Sequence, residues 1–190
     1  MGNASAQSNL GVMYYQGLGV KRDYQEAMKW YRMAALQGDP DGQFNLGVAH
    51  AEGKGVERDS REALRWYRLA AEKGYVTAQL LLGEIYYRGQ GVAVDHREAA
   101  NWYRRAADQG HPAAQFVLGT LFVAGQGVAK DYVQAYLWLT LAGSQGQEAA
   151  RQNAQRSREL VAQQMTPEQI AQAEKLARDW KPKSPANGTP

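Results

Sequence analysis

The chain repeats one segment with a fixed period of 36 residues. A tryptophan recurs at that interval, and so does a leucine that is followed each time by glycine. The positions are Trp30, Trp66, Trp102 and Trp138, and Leu10, Leu46, Leu82 and Leu118. A period of roughly 20–50 residues is typical of a solenoid, in which each unit buries its apolar face only against its neighbours. The repeat therefore predicts a stack of similar units rather than a single central core.

Each unit contains two stretches with helical periodicity. In the first unit, Ala6 and Leu10 lie four positions apart on one face, and Trp30 and Ala34 do the same further along the chain. We refer to the two predicted helices of a unit as helix A and helix B. Four such units, over residues 1–146, predict an all-α fold. The predicted architecture is a right-handed α-solenoid of helix–turn–helix repeats, or alpha-alpha superhelix.

Recurring glycine and aspartate residues indicate how the two helices meet and where helix B begins. Gly11 lies inside helix A, where glycine costs about 1 kcal/mol relative to alanine. That cost predicts that the aromatic pair of helix B, Trp30 and Tyr31, approaches helix A too closely for a methyl group. Asp23 is followed three positions later by Glu26. This is the spacing of an N-terminal capping box, and it predicts the start of helix B.

The complete unit has a recognisable consensus. It reads A-x-x-x-L-G-x-x-Y-x-x-G-x-G-V and then D-x-x-x-A-x-x-W-Y-x-x-A-A-x-x-G. This pattern resembles the Sel-one-like repeat (SLR) family of bacterial type, which is tetratricopeptide-like. Departures are local, since His50 and Phe122 replace the tyrosine of helix A and Leu139 replaces the tyrosine of the fourth helix B. The resemblance implies a helical solenoid and an adaptor role in bacterial envelope assembly, signalling or host interaction.

The period stops near the C-terminus. Residues 147–180 keep helical spacings, and we predict one helix that completes the array and a second that caps it. Thr166, Pro167 and Gln169 form the start signal of the second helix. Residues 181–190 contain three prolines and no apolar periodicity, which predicts a disordered tail.

The beginning of the chain falls at a repeat boundary, because Gly2 lies 36 positions before Gly38, the last residue of the first unit. We therefore expect a longer protein, with a cap, further repeats or a signal peptide before Met1. The protein is periplasmic or secreted if a signal peptide was removed, and otherwise cytoplasmic. No apolar run approaches the roughly 18 residues of a membrane span, so none is predicted. The sequence leaves the oligomeric state open.

The sequence contains no recognisable catalytic or metal site. There is no cysteine, and the three histidines, His50, His96 and His111, lack the spacing of a metal motif. The G-x-G of each unit lacks the third glycine of a dinucleotide fingerprint and the Lys-Ser/Thr of a P-loop. The net charge of +3 is too small to predict nucleic-acid binding. We predict a protein that is not an enzyme and has no cofactor, no metal and no nucleic-acid partner.

The arginines of helix B are assigned to a solvated outer face. Arg65 and Arg68 belong to this set, since they lie away from the apolar stripe. A membrane-surface or nucleic-acid role is the alternative that clustered arginines leave open.

The predicted function is protein–protein interaction, as a scaffold or adaptor that binds a peptide or protein partner on its concave face. In tetratricopeptide-like arrays helix A lines the inner surface, and the resemblance implies the same here. The inward positions vary between units, whereas the leucines and glycines do not. The candidate partner-binding residues are Val12, Tyr15, Gln16, Phe44, Glu52, Leu80, Glu84, Tyr87, Arg88, Phe116 and Thr120. For Phe44, Leu80 and Phe116, the alternative is that they pad the contact between units.

The alternative function is a repeat protein that binds or hydrolyses a small ligand or cell-wall fragment. The relatives linked to such recognition resemble cysteine-rich repeats, and this chain has no cysteine. An enzyme also needs a few convergent ionisable residues that break the repeat in one pocket. Here the departures from the pattern are scattered, which favours the binding protein.

Overall fold

The chain is built from short helices of similar length, as a computed structural model describes for residues 2–184. Within this range every regular element is an α-helix. The helices are α1 (Ala4–Gln16), α2 (Tyr24–Leu36), α3 (Pro40–Glu52), α4 (Ser60–Glu72), α5 (Val76–Arg88), α6 (His96–Asp108), α7 (Pro112–Ala124), α8 (Tyr132–Gly143), α9 (Glu148–Ala162) and α10 (Pro167–Asp179). The predicted all-α repeat solenoid is confirmed, with odd-numbered helices up to α7 in the role of helix A.

Two compact units divide the chain within α5, one up to Leu82 and one from Gly83 onwards. In the first unit α1 packs on α2, and α3 packs on α1, α2 and α4. In the second unit α6 packs on α7 and α7 on α8, while α8 also contacts both α9 and α10. Neighbouring helices along the chain therefore supply most of the packing, as expected for a repeat array.

Each helix B begins with an aspartate that accepts two backbone hydrogen bonds. The N-cap residues are Asp23, Asp59, Asp95 and Asp131. Each carboxylate satisfies amides that have no partner within the helix. A capping box with both reciprocal bonds occurs at α10, between Thr166 and Gln169.

The glycine of helix A allows helix B to approach closely. A Cβ at Gly11 would lie 2.5 Å from a ring carbon of Tyr31, and one at Gly47 would lie 2.5 Å from the ring of Tyr67. The close partner is thus the tyrosine of the aromatic pair, whereas the adjacent Trp30 is only half-buried. The sequence expectation of a tight contact at this glycine is confirmed, with the tyrosine ring as the contacting group.

A glutamine that recurs at one fixed position of the repeat ties helix A to the preceding helix B. The side-chain amide of Gln79 donates to the carbonyl of Ala71 at 3.0 Å. Equivalent bonds join Gln43 to Ala35 and Gln115 to Ala107, both at 3.4 Å. The last carbonyls of a helix have no intrahelical partner. Each of these carbonyls already accepts the backbone amide of the glycine that ends helix B, and the buried glutamine adds a second donor from the next repeat.

The C-terminal helices both pack on α8. Ala154 and Val161 are the buried residues of α9, and the ring of Trp180 meets Trp138 edge-on at 6.3 Å. Beyond α10, the amide of Lys183 donates to the Asp108 carbonyl at 2.7 Å, and its ammonium pairs with the Asp108 carboxylate at 2.8 Å. The segment predicted as a disordered tail therefore contacts α6 through Lys183, and residues 185–190 lie outside the described residues. The assignment of 147–180 as completing and capping helices remains a prediction.

We expect Gly47→Ala to destabilise the protein by about 1–3 kcal/mol, because the added methyl overlaps the Tyr67 ring in a packed interface. Alanine is the better helix former, so helix propensity alone predicts the opposite sign. Urea denaturation monitored by circular dichroism measures the difference.

The matched control is Gly143→Ala, also in a helix. There the nearest side-chain atom to an added Cβ lies 3.6 Å away, an ordinary contact. This variant should be neutral or more stable by up to about 1 kcal/mol. Equal effects of the two substitutions would show that the Tyr67 contact does not set the cost.

Candidate partner-binding surface

Two adjoining cavities follow the helix-A side of the second unit. The first has a volume of about 260 Å³ and is lined by Glu84, Tyr87, Arg88, Tyr103, Val117, Thr120 and Leu121. The second has a volume of about 250 Å³ and is lined by Thr120, Val123, Tyr132, Leu139, Ser157, Leu160, Val161 and Gln164. Thr120 lines both cavities, so they lie next to each other. We refer to these residues together as the helix-A groove.

The two ends of the groove differ in chemistry. At one end Arg88 pairs with Glu84 at 3.1 Å, an i,i+4 pair that the helical spacing of α5 brings together. Both side chains are largely exposed, so the pair contributes little stability and remains available to a ligand. At the other end the wall is apolar, and Leu160 of α9 is 64% exposed. An exposed leucine beside an open cavity is a surface that a partner can cover.

Tyr87 is held in place from two sides. Its hydroxyl donates to the side-chain oxygen of Gln126 at 3.0 Å. Its ring lies 5.0 Å from the ring of His96, which opens α6. A tyrosine fixed in this way presents a rigid surface, and binding to it loses little side-chain entropy.

The first unit has an equivalent arrangement around Tyr15. The Tyr15 hydroxyl donates to Glu52 at 2.5 Å, and Lys54 pairs with the same carboxylate at 2.7 Å. The Tyr15 ring meets Tyr24 edge-on at 5.1 Å, and the Lys54 ammonium lies 5.4 Å from the centre of the Tyr15 ring. We refer to Tyr15, Tyr24, Glu52 and Lys54 as the Tyr15 cluster.

Hydrogen bonding in the Tyr15 cluster has a fixed direction at neutral pH. Burial, reinforced by the bond to Glu52, raises the pKa of the Tyr15 phenol well above its usual range. The hydrogen bonds from Lys54 and then from Tyr15 lower the pKa of Glu52 below its ordinary value of 4.5. Tyr15 is therefore the donor and Glu52 the charged acceptor across the physiological range.

The first and third repeats share the pair of rings, although the tyrosine hydroxyl donates to Glu52 in the first and to Gln126 in the third. Tyr87, His96 and Gln126 lie 72 positions after Tyr15, Tyr24 and Lys54, which is two periods. In the second repeat, alanine and serine occupy the corresponding tyrosine and aromatic positions. The sequence shows an aromatic ring at both the Tyr15 and the Tyr24 positions in the first and third repeats. The contacts between these rings appear only in the structure.

The structure leaves all the predicted site residues at least partly accessible. It brings Glu84, Tyr87, Arg88 and Thr120 together in the helix-A groove, and it joins Tyr15 to Glu52.

The other predicted site residues are dispersed. Val12 packs half-buried against the first unit's core, Gln16 is exposed and Leu80 is half-buried. Phe44 lies 5.5 Å from Tyr67 and 5.2 Å from Tyr75, and Phe116 lines a separate cavity of about 630 Å³.

Residues 2–184 contain no group of three or more histidine, aspartate or glutamate side chains placed to hold a metal ion. In the same part of the chain, no helix is both long enough and apolar enough to cross a membrane.

Comparison with known families assigns the repeats. The family model described as Sel1 repeat matches residues 4–39, 40–75, 76–111 and 112–147. The chain belongs to the Sel1 repeat family. The resemblance drawn from the sequence is thereby confirmed. Sel1 repeat proteins are generally protein-interaction scaffolds, and their fold is typically non-catalytic.

Solved structures of Sel1-like proteins superpose on this chain. A Sel1 repeat protein from Oxalobacter formigenes is 27% identical with a TM-score of 0.72, over 94% of this chain and 88% of the other. The protective antigen c5321 of uropathogenic Escherichia coli, which displays an SLR fold, is 32% identical with a TM-score of 0.56, over 94% and 45%. Cysteine rich protein B of Helicobacter pylori is 27% identical with a TM-score of 0.52, over 69% and 94%. The comparison with curated proteins gives no significant match.

We expect Tyr15→Phe to raise the pKa of Glu52 towards its ordinary value of 4.5, because the carboxylate loses a hydrogen-bond donor. The variant should be less stable by about 0.5–1 kcal/mol at pH 7. A lowered carboxyl pKa stabilises the fold above the unfolded-state value, and this contribution disappears as pH falls through the folded-state value. The stability difference between Tyr15→Phe and the wild type should therefore vanish in acid. Side-chain carboxyl NMR titration measures the pKa of Glu52, and denaturation at pH 7 and in acid measures the stability difference.

Tyr14→Phe is the control, since it removes a hydroxyl from the adjacent position of the same helix. It should leave the Glu52 titration unchanged. An unchanged Glu52 pKa in Tyr15→Phe would contradict the assigned hydrogen bond.

Proposed function

We propose that this Sel1 repeat protein is an adaptor that binds a peptide or protein segment in the helix-A groove, on the face predicted above to be concave. The observation that carries the proposal is that the two cavities lie side by side at Thr120. Extended depressions on repeat arrays suit linear segments, whose successive side chains meet successive repeats.

The composition of the groove supports a protein ligand. Leu160 is an exposed apolar side chain that a partner can cover, with the buried Val161 and Leu139 behind it. Such apolar contacts supply most of the affinity of an interface. Tyr87 adds a fixed aromatic surface with a polar edge. The charged pair of Glu84 and Arg88 lies at one end, where it favours one orientation of the partner more than it adds affinity.

Cell-wall-fragment hydrolysis, the alternative considered from the sequence, finds no comparable support. Hydrolysis of glycosidic bonds uses two carboxyl groups about 5–10 Å apart. In the described lining of the helix-A groove, Glu84 is the single carboxylate, and it is paired with Arg88. The absence of a nucleic-acid partner stays a prediction.

A photo-crosslinking amino acid at position 160 identifies the partner from the native host, and titration with the purified partner then tests the groove. Leu160→Glu and Arg88→Ala should each weaken binding at least tenfold, or about 1.4 kcal/mol. Because both positions are exposed, the melting temperature should be unchanged.

Leu36→Glu is the matched control, because Leu36 is 77% exposed and belongs to α2, which contributes no residue to the groove. It should bind the partner as the wild type does. Normal binding by both groove variants, with loss of binding in Leu36→Glu or in Arg65→Ala on helix B, would place the interface on the outer face and contradict the proposal.

A further inference from the structure

A further cavity beside the groove surrounds Phe116 in the second unit. Its volume is about 630 Å³, and it is open to solvent. The lining residues are His111, Pro112, Ala113, Phe116, Val117, Ala142, Gln147, Ala150 and Asn153. We refer to it as the Phe116 cavity. Val117 lines both this cavity and the helix-A groove, so the two are neighbours.

In the compact unit that ends at Leu82, the residue equivalent to Phe116 is covered by another aromatic side chain of the protein. Phe44 lies 72 positions before Phe116, and its ring packs 5.2 Å from the ring of Tyr75. Burial raises the pKa of Tyr75 to about 12, as expected for a phenol removed from water. Tyr75 in turn lies 72 positions before Gln147, which lines the Phe116 cavity.

The repeat pattern therefore supplies a template for what fills the cavity. Where Tyr75 precedes the next helix, its ring covers Phe44 of helix A. Where Gln147 precedes the next helix, the equivalent phenylalanine faces open space, because the chain continues into α9 with no aromatic side chain at this point. An apolar surface left uncovered in this way favours a ligand that replaces the missing ring.

The charge of the lining restricts the ligand further. None of the residues that line the Phe116 cavity is Lys, Arg, Asp or Glu. Burial lowers the pKa of His111 below its ordinary value of 6.5, so this side chain is neutral at pH 7. A charged side chain would lose hydration here without gaining a counter-charge, whereas an uncharged ring would not.

We propose that the Phe116 cavity binds an aromatic side chain, phenylalanine or tyrosine, of the partner segment that lies in the helix-A groove. The identity of the ligand as part of that segment rests on the proposed function. The binding of a ring in the cavity does not, because it follows from the contrast between Phe44 and Phe116. Gln147 and Asn153 are the amide side chains of the lining, and amides can hydrogen-bond the hydroxyl of a tyrosine.

The probe is N-acetyl-tyrosine amide, titrated into the full ¹⁵N-labelled chain. We expect saturable shift changes of the amides around Phe116 and Val117, and none with N-acetyl-lysine amide. Gln147→Tyr should reduce the affinity for the probe at least tenfold, because the chain then provides its own ring as Tyr75 does. Gln172→Tyr, the same substitution at an exposed position of α10, should bind the probe as the wild type does.

Two further variants keep the test decisive if Gln147→Tyr does not fold. Ala150→Phe fills the cavity from the exposed side of α9 and should likewise abolish probe binding. Tyr75→Gln gives the first unit the residue of the open site and should create a second probe site beside Phe44.

The inference is overturned if the probe causes no saturable shifts around Phe116, or if the filled variants bind it as the wild type does. Neither result bears on the helix-A groove, which the partner affinities of Leu160→Glu and Leu36→Glu decide separately. Normal partner affinity in Gln147→Tyr, with probe binding lost, would remove the partner as the source of the ring and overturn that part of the proposal.

Discussion

The close contact between a glycine of helix A and a side chain of helix B is the constraint on which the repeat depends. Gly47 and Gly83 each face a tyrosine ring, and Gly119 of the fourth repeat faces Leu139 instead. A side chain at these glycines would push the two helices apart. The separation of the helices in turn determines where the buried leucines meet and where the next helix A can pack.

This constraint leaves one side of helix A free to vary. The glycine and leucine face helix B, so residues on the other side carry no common packing duty. There the first and third repeats place Tyr15 and Tyr87, and the fourth repeat places Thr120 at the junction of two cavities. A scaffold with constant packing on one face can therefore present different chemistry in each repeat on the other.

The candidate sites gather where regular packing ends. In the second unit α9 follows the fourth repeat but does not repeat its sequence, and the chain no longer supplies the side chains that fill equivalent spaces elsewhere. Phe44 is covered by Tyr75, whereas Phe116 faces a cavity beside Gln147. The sequence predicts the same inward position for both phenylalanines, because their local sequence patterns are alike. It does not show that one is covered and the other open.

The sequence by itself determined the helices, their aspartate caps, the glycine contacts and the family, since these depend on local preferences or on a period that repeats four times. Only the tertiary structure decided which variable residues meet. The bond from Tyr87 to Gln126 and the open space at Phe116 each depend on residues from successive segments of the chain. Such contacts are set by how one repeat packs on the next, and no spacing within a single repeat records that geometry.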